Sequence, residues 1–302
     1  MRSILIAAAG VSFLLQPTPA HAREVRRLAP SSRWVVNYAE DNCRLARSFG
    51  TGSDRVDLLF DRFFPGESLR VTLAGTIFGP RNVHVPLEPG FRFGPAEDES
   101  KVSAFGALLG GAPAIVAISH IRLAPYTAVE FAALKKSYET DGSFEPSPIG
   151  VERERAATWF EVNRLVKNVD LVLETGRMDR TLDALRQCSW DTVRAWGMDP
   201  DQQKKLKRGA WPTIPLATLF NSRDYPRKMA AMGQQGIVNV RLIIDEQGRV
   251  ESCTIQRSTR PKEFDDVVCA NLTKRARFSP ALDENGKPIR SYFGQNVIFR
   301  MG

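Results

Sequence analysis

The stretch that most restricts the fold is VRLIIDEQGRVESCTIQRS, residues 240–258. Val240, Leu242 and Ile244 share one face of it, while Asn239, Arg241 and Ile243 share the other. A period of two belongs to a strand with two distinct faces, and a helix does not satisfy it. Asp245 opens the turn DEQG and Gly248 stands where a positive φ costs least, so the run Val250 to Ile255 returns antiparallel. Downstream, Phe264, Val267, Val268 and Leu272 fall at i, i+3, i+4 and i+8, an apolar stripe that packs on a sheet. The expected order is a helix over about 226–233, the hairpin over 237–257, a helix over 263–276 and a strand over 292–300. Such elements make an antiparallel sheet with helices on one face.

The compartment follows from the other end of the chain. Arg2, the apolar run ILIAAAGVSFLL (4–15) and the small residues AHA (20–22) read as a signal peptide over residues 1–22. The run is short of the roughly 20 residues that span a bilayer. No other stretch approaches that length, so an exported, soluble, periplasmic protein is expected. Without residues 1–22 the chain loses Arg2 and no acid, and its formal charge falls from +8 to +7. That surplus favours peripheral contact with anionic membrane surfaces. The basic residues are scattered among 34 acids with no Arg/Lys stripe, which argues against nucleic acid.

The cysteines agree with export. Cys43, Cys188, Cys253 and Cys269 form an even set with no CxxC pair, which in an oxidising compartment suggests two disulfides. Three pairings are open, and the one that stays within each half of the chain, Cys43 with Cys188 and Cys253 with Cys269, is the expectation. The spacing and the scarcity of histidine do not suit zinc.

Residues 32–125 read mainly as strand, in the runs RWVVNYA, VDLLFDRFF, LRVTLAGT, VHVPL and AIVAISHIRLA, punctuated by Gly- and Pro-bearing turns. Helices are expected over 125–140, 151–168 and 178–197, the last stopped by Gly197, with a strand over 169–176. The fold class is therefore α+β in both halves: a strand-rich N-terminal domain over 30–197, a polar linker over 198–217 and a compact domain over 218–302.

That last domain resembles the C-terminal domain of TonB-family proteins. Tyr225 and Pro226 precede a helix, and QGIVNVRLIIDEQGRV fits G-x-V-x-V-x-F-x-I-D-x-x-G-x-V with Gly236, Val238, Val240, Ile244, Asp245, Gly248 and Val250 in place. FDDVVCANLTKRARFSPA matches the second helix and the corner at Phe278 and Pro280, and QNVIFR (295–300) matches the last strand. The resemblance implies binding of a short extended peptide, in the family's case from an outer-membrane transporter, by addition to a sheet edge. It implies Phe293, Gln295, Asn296, Val297, Ile298, Phe299 and Arg300 as the partner-binding edge, with Tyr225 and Pro226 beside it. The chain departs from TonB itself in having a cleavable signal in place of a membrane anchor, in lacking a long Pro/Lys spacer, and in carrying Ser222 three residues before the tyrosine, where the family often has Gln.

The N-terminal half carries no G-x-S-x-G, H-E-x-x-H, P-loop or G-x-G-x-x-G motif. His84 and His120 sit in apolar β-like runs and read as structural; Glu97, Asp98 and Glu99 read as a solvated loop cluster; Trp34, Trp190 and Trp196 read as core. Ser143 and Ser147 have no base nearby in sequence. No catalytic residue, metal ligand or cofactor is expected, and the partner is a protein or peptide. Two alternatives stay open: a structural envelope protein, and a hydrolase in the N-terminal domain with the C-terminal one as targeting module.

Overall fold

The computed structural model describes residues 23–38, 41–80, 85–140, 142, 144, 146–259 and 262–300. The expected signal peptide, His84 and Ser143 lie outside the described residues. The N-terminal part runs β1 (Glu24–Leu28), β2 (Val35–Tyr38), β3 (Cys43–Phe49), β4 (Val56–Arg62), β5 (Arg70–Ala74), β6 (Gly90–Gly94), β7 (Ser100–Lys101), β8 (Ala104–Leu109) and β9 (Ala112–Ala117). Then follow α1 (Ala128–Glu139), α2 (Val151–Ala156), β10 (Trp159–Val166), β11 (Val169–Leu173) and α3 (Asp179–Ala195). The rest runs α4 (Pro200–Lys204), β12 (Trp211–Pro212), α5 (Arg227–Ala231), β13 (Gly236–Ile244), β14 (Val250–Ser258), α6 (Lys262–Arg275), β15 (Phe278–Ser279), β16 (Ala281–Leu282), β17 (Pro288–Ile289) and β18 (Ser291–Phe299).

Two sheets build the first part, one ordered β2-β3-β4-β5-β9-β8 and the other β1-β11-β10-β6-β7. β4 explains why they pack: six of its seven residues are buried, which only a strand covered on both faces tolerates. Phe60 from β4 meets Phe160 of β10 at 5.2 Å and Phe93 of β6 at 5.6 Å between ring centroids, so aromatic side chains tie one sheet to the other. The helix α3 lies on this body through Leu182, Leu185 and Cys188, and Cys188 is bonded to Cys43 of β3.

One expectation fails here. Residues 151–168 do not form a single helix; α2 stops at Ala156 and Trp159–Val166 is a strand, hydrogen-bonded to β6 on one side and β11 on the other. Phe160 and Val162 are buried and alternate with half-buried Trp159 and Glu161. The aromatic and β-branched residues fit a pleated surface, and the two neighbouring strands override a short-range helical spacing. The acid cluster also differs from expectation: Glu97 is buried and receives two hydrogen bonds from Arg153, at 2.6 and 2.7 Å. Residues 198–217, read as a linker, contain α4 and β12, and β12 pairs with β15 of the last domain.

The second part contains the three-stranded sheet β14-β13-β18. Val238, Val240, Leu242 and Ile244 face α6, where Phe264, Val268 and Leu272 are fully buried, as the stripe predicts. Cys253 of β14 is bonded to Cys269 of α6. At the hairpin turn Gly248 has φ +76, and a Cβ there would lie 1.8 Å from the Phe278 carbonyl oxygen, so this corner admits glycine alone. Among the described residues no helix is long and apolar enough to cross a membrane.

The other face of this sheet is covered by the N-terminal part. Arg241 donates to Asp41 at 2.8 Å and lies over the Trp196 ring. Gln256 donates to the carbonyls of Asp41 and Phe63, at 2.6 and 3.1 Å. Ile243 packs with Val193, Met198, Trp190, Trp196 and Tyr292. The polar side of the hairpin is therefore an interface within the chain.

Candidate functional site

A three-stranded sheet has two edges, and this one treats them differently. β14 departs from regular register twice, so that Gln256 and Glu251 have no residue opposite them on β13. Such bulges disrupt the ladder and blunt an edge against further pairing. β18 instead stays in unbroken register with β13 from Gly236↔Phe299 to Ile244↔Ser291.

The direction of each main-chain group follows from one anchor. Just beyond β14, Thr259 donates its N–H to the Ile237 carbonyl, and the Ile237 N–H reaches Thr259 Oγ1 at 3.0 Å. Ile237 therefore faces the β14 side, and Val238, Val240 and Leu242, alternating with it, face β18. Their opposite numbers Val297, Gln295 and Phe293 bond inward. The main-chain groups of Tyr292, Gly294, Asn296 and Ile298 point out from the sheet, and among the described residues no strand pairs with them. The Gln295 side chain donates to the Asn296 carbonyl at 2.9 Å, capping one of these outward groups.

The residues expected at the partner-binding edge divide along the same alternation. Phe293, Val297 and Phe299 turn toward the helices: Phe293 packs on Phe278 and Trp211, Val297 on the core around α6, and Phe299 stacks on Phe264 at 4.3 Å. Asn296 and Ile298 present both main chain and side chain outward or toward the N-terminal part, and Ile298 is 44% exposed. Arg300 is exposed and borders a small apolar cleft of about 40 Å³ that also touches Ile298, Phe105 and Ile118. Tyr225 sits at the end of β18, its ring perpendicular to Phe264 and Phe299 and its hydroxyl donating to the Gln234 carbonyl. Pro226 caps α5.

Two edge positions escape the sequence reading, Tyr292 and Gly294. A Cβ at Gly294 would lie 2.0 Å from the Phe64 ring, so glycine is what lets the N-terminal part approach the edge strand this closely. The alternation counted from Ile237 is the signal that identifies both.

Beside the edge lies a cavity of about 340 Å³ between the two parts of the chain, touched by Phe63, Phe64, His120, Asn239, Gly294 and Asn296. Arg70 is packed against two of its wall residues. The guanidinium lies over the Phe63 ring, and Nη1 donates to Asn239 Oδ1. Arg70 is 1% exposed, and among the described residues its Nε and Nη2 have no hydrogen-bond partner. Burial lowers its pKa to about 10, which leaves it a cation at neutral pH. Burial, with repulsion from Arg70 added, lowers His120 to about 3 and keeps its imidazole neutral. Asp61, which stands opposite Arg70 on β4, takes a bidentate pair from Arg44 at 2.6 and 2.9 Å and a contact from Arg257 at 3.4 Å. Burial pushes its carboxyl up, against the pull of Arg44 and Arg70.

No curated protein matches the chain. Residues 221–301 match the family model described as the Gram-negative bacterial TonB protein C-terminal, so this last segment, with its open edge strand, is a domain of that family.

Proposed function

We propose that this is an exported protein of a Gram-negative envelope whose C-terminal domain captures an extended segment of a partner protein by strand addition along β18. The partner is an outer-membrane transporter, as the resemblance to TonB implies, and the protein works in the periplasm as a binder rather than a catalyst. The observation that carries this reading is the outer edge of β18, where among the described residues no strand pairs with the main-chain groups of Tyr292, Gly294, Asn296 and Ile298, while β14 is blunted by bulges. Unpaired edges invite unwanted association, so a long regular one that persists beside a blunted one has a use. The binder reading is supported by the buried acids among the described residues, each of which spends its carboxylate on arginine: Asp61 on Arg44, Glu97 on Arg153, Glu154 on Arg186, Asp179 on Arg177.

The test uses the mature chain and Ile298→Pro. The Ile298 N–H points away from β13, so proline there removes an edge donor without breaking the ladder. Transporters retained from detergent-solubilised outer membrane are identified, and their extended periplasmic segments are synthesised as peptides. Binding of such a peptide is expected to slow amide exchange at Gly294, Asn296 and Ile298, and Ile298→Pro is expected to weaken it at least tenfold. Tight binding that leaves these amides unprotected and the variant unaffected refutes strand addition.

A further inference from the structure

The cavity beside the edge has a chemistry of its own. Gly294 and Asn296 stand opposite Arg241 and Asn239, the face of the sheet turned toward the N-terminal part. The same two residues direct their main-chain groups outward. Residues paired across strands share a face, so the residue of an added strand that pairs with Asn296 aims its side chain at this cavity.

The groups waiting there are donors. Arg70 holds Asn239 Oδ1, which turns the Asn239 Nδ2 toward Asn296, where it donates to Oδ1. With its oxygen thus engaged, Asn296 is left to offer Nδ2, a donor with no partner among the described residues. His120, neutral, adds one N–H. Behind them stands a buried guanidinium with two nitrogens unsatisfied among the described residues, and Asp61, the acid whose charge acts on it, is already held by Arg44 and Arg257. A buried cation short of hydrogen bonds is destabilising, and an acceptor-only anion relieves it.

We propose that the cavity walled by Asn239, Asn296 and His120, with Arg70 behind Asn239, is a carboxylate subsite that seats an acidic side chain of the peptide paired with β18, at the residue opposite Asn296. It rests on the strand-addition reading and supplies what that reading lacks, a source of sequence preference. Main-chain pairing along an edge is indifferent to side chains, whereas a carboxylate pocket selects one residue at one register. The N-terminal part thereby becomes half of the binding site, since Arg70, His120 and Phe64 all belong to it.

The experiment measures binding of the mature chain to three acetylated, amidated peptides, Thr-Val-Thr-Glu-Thr-Val-Thr and its Gln and Lys versions at the central residue. The Glu peptide is expected to bind at least tenfold more tightly than the Gln peptide, a difference of about 1.4 kcal/mol. Asn296→Asp, which keeps the shape and replaces the donor by a charge, is expected to reverse that order, and Asn296→Ala to abolish it. Circular dichroism and thermal melting confirm that both variants fold. Equal binding of all three peptides overturns the subsite and leaves strand addition standing. If no peptide binds, titration with free glutarate decides the pocket alone: a shift of the His120 resonances that is lost in Arg70→Met upholds a carboxylate site supplied by a small molecule, and no shift overturns it.

Discussion

His120 offers a test of how the N-terminal part meets the cavity. Its imidazole is lowered to about 3 in the folded chain, first by burial and then by the Arg70 charge, against about 6.5 when unfolded. The folded protein therefore binds fewer protons than the unfolded one between these values, and its stability falls as pH drops through the window. Between pH 7.5 and 4.5 the full linkage is about 2.6 kcal/mol. His120 keeps some contact with solvent through the cavity, which screens the effect, and we expect roughly half, about 1.3 kcal/mol. The perturbation is His120→Gln, which keeps a polar side chain and removes the titration. Urea unfolding of both proteins at the two pH values gives four free energies, and the double difference isolates His120 from every carboxylate that titrates in both. A wild type that loses about 1.3 kcal/mol more than the variant supports the placement of His120 beside Arg70. Equal losses refute it, because an imidazole free of burial and of a neighbouring cation has no reason to stay neutral at pH 4.5.

The disulfides differ in the loops they close, 145 residues for Cys43–Cys188 and 16 for Cys253–Cys269. Loop-closure entropy predicts that the paired Cys→Ala variants lose about 5 and about 3 kcal/mol respectively, and urea titration that ranks them the other way contradicts the entropic account. Gly294→Val forces a side chain into the Phe64 ring and is expected to cost about 1–3 kcal/mol. A melting temperature unchanged from the wild type shows that the N-terminal part does not pack on the edge strand at this point.

The C-terminal domain was largely legible in the sequence because its signals are local. The period-two alternation of Val240, Leu242 and Ile244, the glycine at the turn and the i, i+3, i+4 stripe on α6 all lie within a few residues of the structure they specify. The pairing of Cys253 with Cys269 follows from the same short spans. The N-terminal part was read less well for the corresponding reason. β10 lies wholly inside the helix expected over 151–168, and it is a strand because β6, some seventy residues earlier, and β11 both pair with it. β1 joins its sheet by parallel pairing with β11, a contact across the whole domain that leaves no local trace.

Which residues of β18 share a face was within reach of the sequence, since alternation alone separates Asn296 and Ile298 from Phe293, Val297 and Phe299; which of them turn their main chain outward took the pairing of Ile237 with Thr259. What stands beside that edge was not within reach. Asn239 and Arg241 read only as the second face of a hairpin, and Arg70 as one residue of a strand-like run. Only the docking of the two parts makes the face an interface, strips water from Arg70 and sets it behind Asn239. Sequence patterning determines which residues share a face, because side-chain direction repeats with the backbone. What that face meets is decided by tertiary contacts between residues far apart in the chain, and there burial turns an ordinary arginine into a cation in want of an anion.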